Sequence, residues 1–208
     1  KFPENSGQNF RNPHTVFERR SAGFGWANYW CDLTHATALN GARNPGARLA
    51  QAAMIAFGLA LFFVGELAIA RIELRGGVRA VVRGAAALSA LGTAGVAFIS
   101  YETSRILHFA VTFLAGPGGV VTVLTLSWVM HRARLGGRWM RGLSLLTALG
   151  AIVGLVVYVR QALLGGAESA LLPVTQKVVA LLVCLWISGT TRILDRSRHW
   201  GSSRSQNQ

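Results

Sequence analysis

Acidic residues are scarce in this chain: eight Asp and Glu stand among 208 residues, against 21 Lys and Arg. Charged residues together make up 14%. A water-soluble domain carries about 25%, so this composition does not provide the solvated surface of an ordinary globular protein. Cysteine is nearly missing as well. Cys31 and Cys184 are the only two, with no CxxC and no zinc-ribbon spacing, which removes disulfide scaffolds and thiolate zinc modules from consideration. Nor is there a GxSxG or a glycine-rich phosphate loop, so nucleophile-elbow hydrolases and P-loop enzymes lack their motifs here.

What the chain does have is apolar sequence. Hydrophobic residues reach 51%, and the mean hydropathy is +0.39. The formal charge of +13 would suit nucleic acid only if the cations formed a patch on a polar surface. They fall instead in short clusters between apolar runs, the pattern of a multi-pass membrane protein, and no nucleic-acid partner is expected.

Five such runs are delimited by charged residues, at about 49–70, 84–101, 106–130, 142–159 and 170–191. Each has the length that an α-helix needs to cross the hydrocarbon core. They are apolar all round, unlike surface helices, and too long for buried strands. The fold class expected is therefore all-α: a polytopic transmembrane helix bundle whose first partner is the lipid bilayer.

Orientation follows from the arginines. Arg71, Arg75, Arg79 and Arg83 follow the first run; Arg132, Arg134, Arg138 and Arg141 follow the third; Arg192, Arg196, Arg198 and Arg204 follow the fifth. The alternate connections carry only Arg105 and Arg160. The positive-inside rule puts the clustered ends and the basic tail 193–208 in the cytoplasm, and residues 1–48 outside, in a bacterial inner membrane. Exporting that opening segment requires a preceding apolar helix, so a sixth, N-terminal span is expected ahead of Lys1.

Small residues punctuate the spans. Gly150-Ala-Ile-Val-Gly154 is a small-xxx-small motif, which allows two helix backbones to approach closely. It suits packing within the bundle; a homo-oligomer or a membrane-protein partner is the alternative use. Ala115-Gly-Pro-Gly-Gly119 interrupts the third run. A tolerated kink and a broken, site-forming helix are both open readings.

The candidate functional residues gather at the expected outer boundary. Asp32 and His35 belong to the opening segment, and Tyr101, Glu102, Arg105 and His108 to the next outer connection and the first turn of the third span. Arg160, Glu168, Gln176 and Lys177 belong to the other outer connection and the fifth run. Glu102, Arg105 and His108 are spaced by three, so a helix would align them on one face. An ionisable residue inside a membrane is costly and turns to the bundle interior or a cavity. Asp32, His35, Glu102, Arg105 and His108 thus form either a structural clasp or a ligand site. Asp32, His35, Glu102 and His108 are also adequate zinc ligands, although their spacing matches no ligand motif. His108 could ligate a tetrapyrrole, but no cofactor is identifiable from these residues. Glu66 is expected to pair near the membrane surface with Arg71.

The opening segment "NYWCDLTHATALNG", Asn28 to Gly41, reads as a short helix over Asn28–Leu39 ended by Asn40-Gly41, with Phe24, Trp26, Tyr29 and Trp30 as interfacial anchors. Together with "NPGARLAQAAMIAFGLAL" and the layout of the spans, it resembles bacterial six-span membrane proteins similar to the damage-regulated autophagy modulator type. In that group an outer loop ending in Asp-Leu precedes the second span. Asp32-Leu33 takes that place here, and Thr34 stands where the group has glycine. The resemblance implies a fold and no activity. The function expected is an outer-facing polar site for a lipid or small amphiphile. A membrane-embedded metal-dependent hydrolase and a non-catalytic subunit of a larger membrane complex are the alternatives.

Overall fold

The structure, a computed structural model, describes residues 29–37, 43–101, 103–162 and 171–205. A 3₁₀ turn, Cys31–Thr34, precedes five α-helices among the described residues: α1 Ala47–Arg71, α2 Gly76–Phe98, α3 Arg105–Arg132, α4 Arg138–Ala162 and α5 Leu171–Ser205. All five are long and apolar enough to cross a membrane. Leu49, Phe63, Leu91, Ile106, Leu145 and Leu181 are exposed on the outside of the bundle. An apolar exterior is stable in lipid, and the protein is a membrane-embedded helix bundle.

The helices extend past the charges used to delimit them. α2 begins at Gly76 rather than 84, and it ends at Phe98 rather than 101. Arg79 and Arg83 lie within it, because a long basic side chain leaves its helix for the polar boundary without breaking it. α5 runs beyond 191 to Ser205, so the basic tail continues the last helix through that residue. Only Cys31–Thr34 of the expected Asn28–Leu39 helix is helical among the described residues. The Asn44 side-chain amide donates to the Leu33 and His35 carbonyls, and Thr37 bridges to Arg43, folding the segment back on itself.

Successive helices run antiparallel and close into a ring: α1 packs on α2, α2 on α3, α3 on α4, α4 on α5, and α5 back on α1. Glycine brings α2 and α3 closest. Gly92 faces the α3 backbone at Val111–Ala115, and Gly118 faces the α2 backbone at Ala85 and Ser89. Gly150 and Gly154 of the small-xxx-small motif meet Val179, Leu182 and Thr175 of α5, so the motif packs inside the bundle.

α3 passes through Pro117 as one continuous helix, so Ala115–Gly119 does not make two half-helices. Ser89 Oγ of α2 donates to the Ala115 carbonyl at 2.9 Å, tying the Ala115–Gly119 stretch to its neighbour. Glu66 pairs across the first hairpin with Arg83, not with Arg71: Arg83 Nε donates to Oε1 at 2.6 Å and Nη2 to Oε2 at 2.5 Å. Fork-on-carboxylate geometry fixes the register of α1 against α2. Reversing one charge by Arg83→Glu should lower the folded yield in membranes, and adding Glu66→Arg should restore it.

Along its axis the bundle is filled at one end and hollow at the other. Leu61, Val64, Ala68, Val82, Leu126, Met130, Met140, Trp186 and Leu194 form a continuous buried core in the half that carries the arginine clusters. Trp186 is fully buried there, and its indole N–H donates to Ser144 Oγ at 3.0 Å and Ser127 Oγ at 3.3 Å.

Candidate functional site: a roofed cavity in the hollow half

Beyond that core lies a cavity of about 250 Å³ to which every one of the five helices contributes. Its walls are mainly apolar and small: Met54 and Phe57 from α1, Val96 from α2, Gly116 and Val120 from α3, Ala148, Ala151 and Gly154 from α4, and Val179 and Ala180 from α5. The small residues that allow the helices to approach also leave the volume between them empty.

The roof is built by the opening segment. Trp30 lines the cavity and packs edge-on against Phe57, ring centroids 5.8 Å apart. Its backbone N–H donates to Gln176 Oε1 on α5 at 3.4 Å. Gln51 of α1 donates to the Thr34 carbonyl at 3.1 Å, tying the other side of the 3₁₀ turn. Trp30, expected as a headgroup anchor, is thus turned inward as a plug.

A few polar groups face this volume. Thr112, Thr93 and Thr147 return their hydroxyl protons to the carbonyl four residues back, which satisfies them within their own helices. Tyr158 differs. Its hydroxyl is buried beside Thr112 yet has no hydrogen bond of acceptable geometry. Phe109 and Phe113 hold the Tyr158 ring edge-on at 6.0 and 6.2 Å. A phenol held by two rings in an apolar chamber, beside Thr112 but making no hydrogen bond of good geometry, can donate its O–H to an acceptor in the chamber. Gln176 spends its oxygen on Trp30, and its NH2 brings two further donors to the same wall.

The residues singled out from sequence lie around and above the roof. His108 is buried, and its Nδ1 is 2.6 Å from the Ile99 carbonyl. A carbonyl only accepts, so Nδ1 carries the proton and the ring fastens the turn between α2 and α3. Arg105 stacks over Tyr101 at 5.3 Å and Phe109 at 5.7 Å. Asp32 accepts from the Tyr29 N–H at 2.9 Å, and its charge acts on Lys177 of α5. His35 is half-buried at the end of the 3₁₀ turn, with its carbonyl taken by Asn44. Glu102 lies outside the described residues, as does Glu168. Among the described residues no three His, Cys, Asp or Glu side chains converge as a metal site, so Asp32, His35 and His108 do not form one.

Tyr158 was not singled out from sequence. A tyrosine inside an apolar run, two residues before Arg160, was the available signal. Comparison with protein-family models, curated proteins and solved structures finds no match for the chain. The class defined by fold and site is a membrane helix bundle with a roofed internal cavity.

Proposed function

We propose that this protein holds a small amphiphile inside the bundle, its apolar body between the five helices and an acceptor oxygen at Tyr158 and Gln176. The observation that carries this reading is the unspent Tyr158 hydroxyl in a cavity that all five helices line. Size sets the ligand class. An apolar cavity of about 150 Å³ takes up one benzene. The present 250 Å³ therefore accommodates roughly ten non-hydrogen atoms, a bicyclic ring or a short chain segment rather than a whole diacyl lipid.

The arginine-clustered ends belong in the cytoplasm of a bacterial inner membrane by the positive-inside rule. The Trp30 roof then faces the extracytoplasmic side, and the polar groups expected there as a ligand site serve to hold that roof over the chamber. Asp32 and Lys177 bring the opening segment to α5, while Arg105 and His108 brace the α2–α3 turn beside Tyr158.

The test compares 1-tetralone, a bicyclic ketone, with tetralin, which has the same rings and no oxygen. Titration of the purified protein in detergent should show the ketone binding about tenfold tighter, the value of one hydrogen bond in an apolar site. Tyr158→Phe should erase the difference, and Ala151→Trp, which fills the chamber, should abolish both. Equal binding of the two probes, or unchanged binding by the Ala151→Trp variant, would refute the proposal.

A further inference from the structure

A second cavity, of about 260 Å³, opens between α3 and α4 at the arginine-rich end. None of its lining residues lines the central chamber. We infer that it is a binding site for one anionic glycerophospholipid, with the phosphate at Arg141 and His131, the glycerol esters at Ser127 and Ser144, and a chain along Leu124 and Leu145.

The site is organised in levels. Ser127 and His131 are four residues apart on α3, and Arg141 and Ser144 are three apart on α4, so each helix presents both groups on one face. Because the helices run antiparallel, the two serines share a deeper level and His131 and Arg141 an outer one. A helical turn, about 5.4 Å, separates the levels. A glycerophospholipid has the same order along its length: phosphate, then ester carbonyls, then hydrocarbon.

The donors are oriented for acceptors. The Trp186 indole N–H points at both serine oxygens, so each serine acts there as an acceptor and keeps its O–H as a donor. Ser144 is only 8% exposed, and a buried hydroxyl that lines the cavity while accepting from Trp186 favours an occupant that accepts. Above it, Arg141 brings a permanent cation, and Arg132 stacks on Trp128 at the groove wall, 4.8 Å from the ring. No acidic residue occurs from Ser127 to Leu145. Charge therefore selects an anionic headgroup over a zwitterionic one.

The remaining wall faces lipid. Leu124, Trp128 and Leu145 are 46%, 49% and 62% exposed, and they border the groove where a chain entering from the bilayer would lie. A soluble phosphate would leave these surfaces uncovered; a lipid covers them while its headgroup meets the cations. Basic pockets between membrane helices at a polar boundary recognise anionic headgroups by this combination.

The experiment is native mass spectrometry of the full chain, released from nanodiscs of phosphatidylglycerol mixed equally with phosphatidylcholine. One phosphatidylglycerol should stay bound in preference to phosphatidylcholine. Arg141→Ala should reduce that preference about fivefold, the effect of one cation at a membrane surface. Arg79→Ala, which removes the same charge from an exposed site on α2, should leave it unchanged. Glycerol 3-phosphate at millimolar concentration should not displace the lipid. No preference in the unaltered chain, equal loss in the two arginine variants, or displacement by the soluble phosphate would each overturn the assignment.

Discussion

Gly92→Ala is expected to destabilise the bundle by about 3 kcal/mol, at the upper end of what one added carbon costs in a packed interior. A Cβ built at Gly92 would stand 2.6 Å from the Val111 carbonyl oxygen and 2.8 Å from the Leu114 carbonyl carbon, with the Ala115 nitrogen nearer still. These are backbone atoms of α3 and cannot rotate away, so the two helices must separate. Separation would break the Ser89–Ala115 hydrogen bond and open the glycine contact at Gly118 one stretch along the same seam. Because lipid tails are as apolar as the side chains, dispersion at this close approach is a large share of what holds the helices together. Gly84→Ala, on the same helix with open space at the added carbon, is the control. It should stabilise by up to about 1 kcal/mol through helix propensity alone. Titration of the purified proteins with dodecyl sulfate, followed by circular dichroism, would measure both. Similar midpoints for Gly92→Ala and the unaltered chain would show that the α2–α3 seam is not a rigid contact.

Trp186→Ala should cost about 3 kcal/mol or more, near the lower end of aromatic-to-alanine changes in cores. The lower end applies because an unfolded membrane helix stays in lipid, so little transfer free energy from water is lost. What remains is the cavity left by a fully buried indole among Leu126, Met130, Met140 and Leu194, and the loss of its N–H to two serines. Trp186→Phe separates these parts. It keeps most of the volume and removes only the polar contact, for an expected cost of about 1 kcal/mol. Leu91→Ala, on an exposed apolar position, should be close to neutral in the same titration. If Trp186→Ala were as mild as Leu91→Ala, the solid half of the bundle would have to be held by something other than this plug.

The membrane architecture was legible in the sequence because bilayer thickness acts on one segment at a time. Each apolar run had to be long enough, and positively charged residues had to collect at alternate ends, whatever the neighbours were. Arg79 and Arg83 misled the reading of the second span for the same reason. Read alone, a basic residue ends an apolar run; in the folded bundle Arg83 finds Glu66 on the preceding helix and the helix continues around it. The Asp, His and Arg residues near the helix ends drew attention because charge is rare in this chain. The structure gives His108 a backbone carbonyl in its own turn and Arg105 two aromatic rings, partners that spacing does not reveal.

The amino-acid sequence by itself therefore determined the medium, the helices and their alternating directions, since those depend on local length, hydropathy and charge. Tertiary structure alone decided where the bundle axis is filled and where it is hollow, and which polar groups are left with protons to give. Trp186 meets serines 42 and 59 residues away, and Trp30 reaches Gln176 across 146 residues. A cavity is the space that side chains from several helices fail to fill together, so no single span encodes it. Tyr158 is notable for the acceptor it lacks, and that depends on every helix around it.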